Sequence, residues 1–180
     1  MLYLYIALGL LVMWVAFGYN RFVVLRARVR NAWSQVEVQL RMRYDLIPNI
    51  VATVKGYAEH EKDIFAAVSE ARSRAMGAQT ISGKEEAEAS LAGALKSLFA
   101  VAEAYPTLRA SENFTNLQQQ LQDVEKRLAF SRQFYNDSVL KYNTKVQMFP
   151  SNILAAVFSM KLEPYFQAGQ ESQGPVEVKF

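Results

Sequence analysis

The chain contains no cysteine and one histidine, His60, among its 180 residues. Without thiols there can be no disulfide framework, iron–sulfur ligation, cysteine nucleophile or Cys-type zinc site, and a lone imidazole leaves any transition metal to carboxylates. The segment His60-Glu61-Lys62-Asp63-Ile64 starts like a zinc-protease helix but carries Ile64 where the second histidine belongs, so the ligand pair cannot form. Phosphate-cradling Gly-x-x-x-x-Gly-Lys and Gly-x-Gly-x-x-Gly loops are missing, as is a Gly-x-Ser-x-Gly elbow, which removes the common sequence marks of nucleotide enzymes and serine hydrolases. Glu59, Glu61 and Asp63 alternate around a helix and do not converge as an acid–base pair. Eight Gly and five Pro are too few for collagen-like or low-complexity chains. The reading is therefore of a protein without catalytic activity, with no catalytic, cofactor-binding or metal residues and no cofactor.

Charge is absent over residues 1–19, which run Met-Leu-Tyr-Leu-Tyr-Ile-Ala-Leu-Gly-Leu-Leu-Val-Met-Trp-Val-Ala-Phe-Gly-Tyr. As a helix this stretch rises about 28 Å, close to the hydrocarbon thickness of a bilayer. Tyr3 and Tyr5 stand near one end and Trp14, Phe17 and Tyr19 near the other, as interfacial aromatic belts require. Residues 20–44 then carry Arg21, Arg26, Arg28, Arg30, Arg41 and Arg43 against Glu37 alone, a net +5 in a chain of net +3. Such a basic flank predicts a single-pass protein of the cell inner membrane, with its N-terminus outside and its body cytoplasmic. The alternative is a cleaved signal peptide and an exported body, for which Ala16-Phe17-Gly18 would serve as a cleavage site, although no basic segment precedes the apolar run. No nucleic-acid partner is expected, since the basic excess is small and no reading motif accompanies it.

Beyond the apolar run the hydrophobic residues follow helical spacing. Val29, Trp33, Val36, Leu40, Ile47, Ile50, Val54, Tyr57, Ile64 and Val68 step by three and four through one coiled-coil-like seam, broken only by Arg43 and Glu61. The seam keeps phase across Pro48, which predicts one long kinked helix ending near Gly77. Ser82-Gly83-Lys84-Glu85 reads as a capping box opening a second helix, with Leu91, Leu95, Leu98 and Ala102 inward and its end before Pro106. After an extended crossing, a third helix runs from about Ser111 to Phe149, and a short fourth covers 152–162. The expected fold is all-α: an elongated antiparallel helical bundle after a transmembrane helix, with the second and third helices packed along the first. The domain reading is an anchor at 1–19, a bundle at 20–168 and a flexible tail at 169–180, in which 176–180 is the one stretch with strand-like composition.

Two groups of residues stand out. Arg43 and Glu61 interrupt an apolar seam, where a charge must find a partner or reach water. With Asp45, and with Tyr135 and Asn136 brought back by an antiparallel third helix, they form a candidate polar core or partner site. Arg21, Arg26, Arg28 and Arg30, together with Phe158, Tyr165 and Phe166, form a candidate lipid-contact set.

Several segments carry a resemblance. Tyr19-Asn20 follows the apolar run, then Arg26, Val29 and the stretch 32–40 beginning Ala32-Trp33-Ser34. Arg43-Tyr44-Asp45-Leu46-Ile47-Pro48-Asn49, Thr53-Val54-Lys55-Gly56-Tyr57-Ala58 and His60-Glu61 come next. Tyr135-Asn136, Tyr142-Asn143, Phe149-Pro150 and Tyr165-Phe166 stand near the end. Together they resemble the LemA family (MamQ/LemA-like). The resemblance implies a bacterial or archaeal membrane-anchored helical bundle with no established enzymatic activity or cofactor. Some relatives carry a lipidated cysteine before Gly-Tyr-Asn; Phe17 stands here, so the apolar run itself must hold the membrane. Ser159-Met160 stands where Gly-Phe is commoner in the family. The expected role is a membrane-anchored helical scaffold for protein–protein interaction with membrane or cytoplasmic partners, homo-oligomers included. The alternative is a membrane-shaping or lipid-binding protein that uses the Arg cluster and helix 152–162.

Overall fold

The computed structural model describes residues 1–167; the tail expected at 169–180 lies outside the described residues. Among them are six helices and no strand: α1 (Leu2–Lys55), α2 (Lys62–Gly77), α3 (Ile81–Glu103), α4 (Pro106–Arg109), α5 (Glu112–Gln147) and α6 (Ser151–Val157). The protein is all-α. It divides into two compact units, unit 1 made of Met1–Val36 and Phe130–Tyr165, unit 2 of Glu37–Ala129 with Phe166 and Gln167.

In unit 1, Phe22, Leu25, Val29, Ala32 and Val36 are buried along one stripe of α1, as the three-four spacing of a helix face demands. Phe22 meets Tyr142 edge-on at 6.4 Å between ring centroids, and Trp33 meets Tyr135 at 5.3 Å. Residue numbers fall along α5 as they rise along α1, so the two helices run antiparallel here. Ser151 closes α5 by donating its hydroxyl toward the carbonyls of Lys145 and Met148, at 2.7 and 2.8 Å, the first of them in the last turn, where a helix leaves its acceptors open. The fourth predicted helix is shorter than 152–162, because Ser159 adopts a left-handed φ of 52°. Its N–H bonds to Ala156 O and that of Met160 to Ala155 O, which is a Schellman ending. The segment that follows is latched to α5: Asn143 donates to Glu163 O and accepts from Glu163 N, both at 2.9 Å, and Tyr135 donates to Pro164 O at 2.7 Å.

In unit 2 the first predicted helix divides. α1 continues through Pro48 but stops at Lys55, where the N–H groups of Tyr57 and Ala58 both turn back to Val54 O. A six-residue turn separates it from α2, and beside the turn Ala58 and Phe65 take the buried places expected of Tyr57 and Ile64, whereas Val68 keeps its own. Tyr57 is 44% exposed while Ala58, Phe65, Val68, Ala71 and Ala75 are buried. The turn happens to preserve the three-four phase, so periodicity alone reads one helix where there are two. Leu91, Leu95, Leu98 and Ala102 are buried on α3. The N-cap of α3 is Thr80, whose hydroxyl accepts from Gly83 N at 3.0 Å, rather than the expected Ser82. The predicted extended crossing contains a single turn, α4, with Pro106 in its first position, where a missing N–H costs nothing.

Candidate functional site

Unit 2 encloses a cluster of buried charge. Arg43, 5% exposed, reaches two carboxylates: its Nη1 donates to Glu88 Oε2 at 2.6 Å, and its Nε lies 2.8 Å from Glu125 Oε1. The second contact is off hydrogen-bond alignment at Nε and acts as an ion pair. Tyr44 donates its hydroxyl to the other Glu88 oxygen at 2.6 Å. Both oxygens of a carboxylate that is 5% exposed are thereby paired, which is the condition for keeping a charge in a low-dielectric interior. Two carboxylates face one guanidinium, and the surplus negative charge sits on Glu125, whose side chain is 40% exposed.

Pro48 adds a fifth member. A helical proline has no N–H for the carbonyl four residues earlier, which here belongs to Tyr44. Arg72 of α2 takes that place, its Nε donating to Tyr44 O at 2.7 Å. Glu88 was legible as the position one step before Leu91 in the α3 column, and Glu125 as the position four after Leu121. Arg72 had no sequence signal, because its role depends on a carbonyl freed in another helix.

A groove of about 770 Å³ opens beside this cluster. Leu95 and Phe99 of α3 and Leu121 of α5 give it an apolar wall; Arg43 and Glu125 line it, as do Lys96, Glu103 and Lys126. Among the described residues no group of three or more His, Asp or Glu converges on a metal-sized site.

The predicted polar set is not gathered in one unit. Arg43 draws its carboxylates from Glu88 and Glu125 of unit 2, whereas Tyr135 and Asn136 belong to unit 1. Asp45 is exposed. Glu61 sits half-buried in the turn as the residue before α2, not in a buried seam, because α1 has already ended.

The predicted lipid set is placed mostly in unit 1. Arg21, Arg28 and Arg30 are exposed, and Arg26, 45% exposed at its side chain, pairs with Glu163 at 3.4 Å. Phe158 stacks on Tyr19 with centroids 4.9 Å apart, and Tyr165 is 42% exposed. Phe166 is buried, 4% exposed, in unit 2, so it presents no surface to lipid. Tyr142 lies close enough to Arg26 and Glu163 to feel both charges. Burial raises the pKa of its phenol, Arg26 pulling it down and Glu163 pushing it up less strongly.

Residues 1–14, apart from Trp14 at 38%, have large apolar side chains that are half or more exposed. α1 contains the one window among the described residues long and apolar enough to cross a membrane, and none of it is buried in the protein. The magnetosome proteins MamQ 1 and MamQ 2 of Paramagnetospirillum magneticum, and MamQ of Magnetospirillum gryphiswaldense, are each 26% identical to the chain over 184 residues. Each alignment covers 88% of this chain and 68% of the relative. The model of the LemA family matches residues 32–180. The molecule is a membrane-associated helical protein, and with most of its length matched by that model the chain belongs to the LemA family.

Proposed function

We propose that the protein is a single-pass, membrane-anchored helical scaffold that holds other membrane or cytoplasmic proteins at the inner membrane and performs no chemistry of its own. One observation carries this reading: the apolar window of α1 has no protein around it, while the same helix supplies buried core residues from Phe22 onward. Apolar surface left in water costs about 25 cal/mol per Å², and a bilayer is the solvent that removes the cost on every side of a helix. The Arg residues after the span support a cytoplasmic body, residues 20–168, and an N-terminus outside. Partner binding is supported by the unit 2 groove, whose open apolar wall flanked by charge suits a protein segment.

The test is a photo-crosslinking residue at Phe99 in living cells, combined with membrane fractionation. Crosslinked species that resist alkaline carbonate extraction, together with a carboxyl-terminal tag shielded from protease in spheroplasts, are the expected result. A chain that never crosslinks to protein from the groove defeats the scaffold role, release by carbonate removes the anchor, and a digested tag reverses the orientation. The lipid-shaping alternative draws on the exposed apolar side chains around α6, and tubulation of vesicles by the purified chain would favour it.

A further inference from the structure

We infer that α6 lies in the interfacial layer of the bilayer, docked against the end of the membrane-spanning helix, and that its uncovered face contacts lipid. The inference rests on the reading that residues 1–19 span a membrane. Within unit 1, α6 touches α1 at one level. Leu154 Cδ1 occupies the space a side chain at Gly18 would fill, so the absence of a Cβ there permits the approach, and Phe158 packs on the ring of Tyr19. Gly18 and Tyr19 are the last turn of the uncharged run, two residues before Arg21. The spanning helix rises about 26 Å from Leu2 to Tyr19, so this level is where hydrocarbon gives way to headgroups.

At that level the outer surface is apolar. Ser151, Leu154 and Ala155 are the buried residues of α6, and its other large side chains point away from the protein: Ile153 is 51% exposed and Val157 70%. Phe149 just before the helix is 74% exposed, and Leu162 just after it 52%. A short helix apolar on both its protein side and its outer side is suited to the membrane boundary, with cationic side chains reaching the headgroups. Unit 1 supplies these: eight Lys and Arg against two acids give it a net charge of +6, with Lys145 before α6 and Lys161 after it. Anionic phospholipid is therefore the partner, and attachment to a spanning helix at this depth distinguishes it from a protein groove in water.

The natural chain has no cysteine, so single-cysteine variants of the full-length protein label at one site each. Val157→Cys, Val12→Cys and Ser73→Cys, carrying an environment-sensitive fluorophore, are compared in vesicles of phosphatidylcholine and phosphatidylglycerol. The expected result is that the probe at 157 is quenched by shallow lipid nitroxides and is about threefold or more better shielded from aqueous iodide than the exposed unit 2 probe at 73. A probe at 157 as open to iodide as that at 73, while the probe at 12 is shielded, overturns the inference and leaves the anchor standing. Shielding at 157 without quenching by lipid nitroxides assigns the face to a protein and overturns it as well. If the probe at 12 is also open to iodide, the spanning reading falls, and this inference with it.

Discussion

Unit 1 and unit 2 share two long helices but treat buried polar groups in different ways. Unit 2, net −2 by sequence over residues 37–129 and 166–167 with eleven basic and thirteen acidic residues, buries an ion cluster around Arg43 beside an apolar-walled groove. Unit 1, net +6, keeps its polar interior neutral, using Tyr135 and Asn143 to latch a main-chain segment, and leaves apolar side chains outside. The contrast teaches that burial has to be judged against the local solvent. An exposed apolar face is a liability in water and a fit beside lipid, whereas a buried charge is tolerated where every lone pair finds a donor.

Removing Arg43 is the strongest way to break the contrast. Arg43→Ala takes the guanidinium away from the buried Glu88 carboxylate and from Glu125, at a cost of about 3–5 kcal/mol, read by urea unfolding followed by circular dichroism. A loss under about 1 kcal/mol would mean that water reaches the cluster. Arg72→Ala is the next largest: a charged donor to a buried carbonyl is worth about 1.5–3 kcal/mol. In a Pro48→Ala background the restored N–H takes over the Tyr44 carbonyl, so the same substitution should cost much less, and a double-mutant cycle measures the difference.

Unit 1 offers two smaller tests. Ser159 pays for its left-handed φ with strain that glycine lacks, so Ser159→Gly should stabilise the protein by about 1 kcal/mol in the same unfolding assay. Tyr142→Phe has the smallest effect near neutral pH, within about 0.5 kcal/mol, since the buried hydroxyl has no hydrogen-bond partner. Because burial raises the Tyr142 pKa above the ordinary 10.0, its contribution is intact below that value and is lost as pH rises through the folded one. Unfolding compared at pH 8 and in alkali should therefore show a smaller alkaline loss for the Phe variant.

Much of unit 1 was legible because its signals are local. The uncharged run, the basic flank and the helical stripe need only near neighbours to be read. Unit 2 was less so. The end of α1 at Lys55 leaves no mark in the periodicity, since apolar residues recur at helical spacing on both sides of the six-residue turn, and Thr80 caps α3 without the Glu or Gln three residues later that Ser82 has. A charge in an apolar seam marks Arg43 as needing a partner, but its carboxylates lie 45 and 82 positions further along the chain, beyond the reach of any spacing argument.

Helix content, the apolar run and the sign of the charge beside it follow from composition and period, since each depends on residues within a few turns of one another. Which carboxylates answer Arg43, which donor replaces the N–H lost at Pro48, and how Gly18 admits Leu154 were decided by tertiary structure alone. Those pairings join distant segments, and only the folded chain brings such segments within bonding distance.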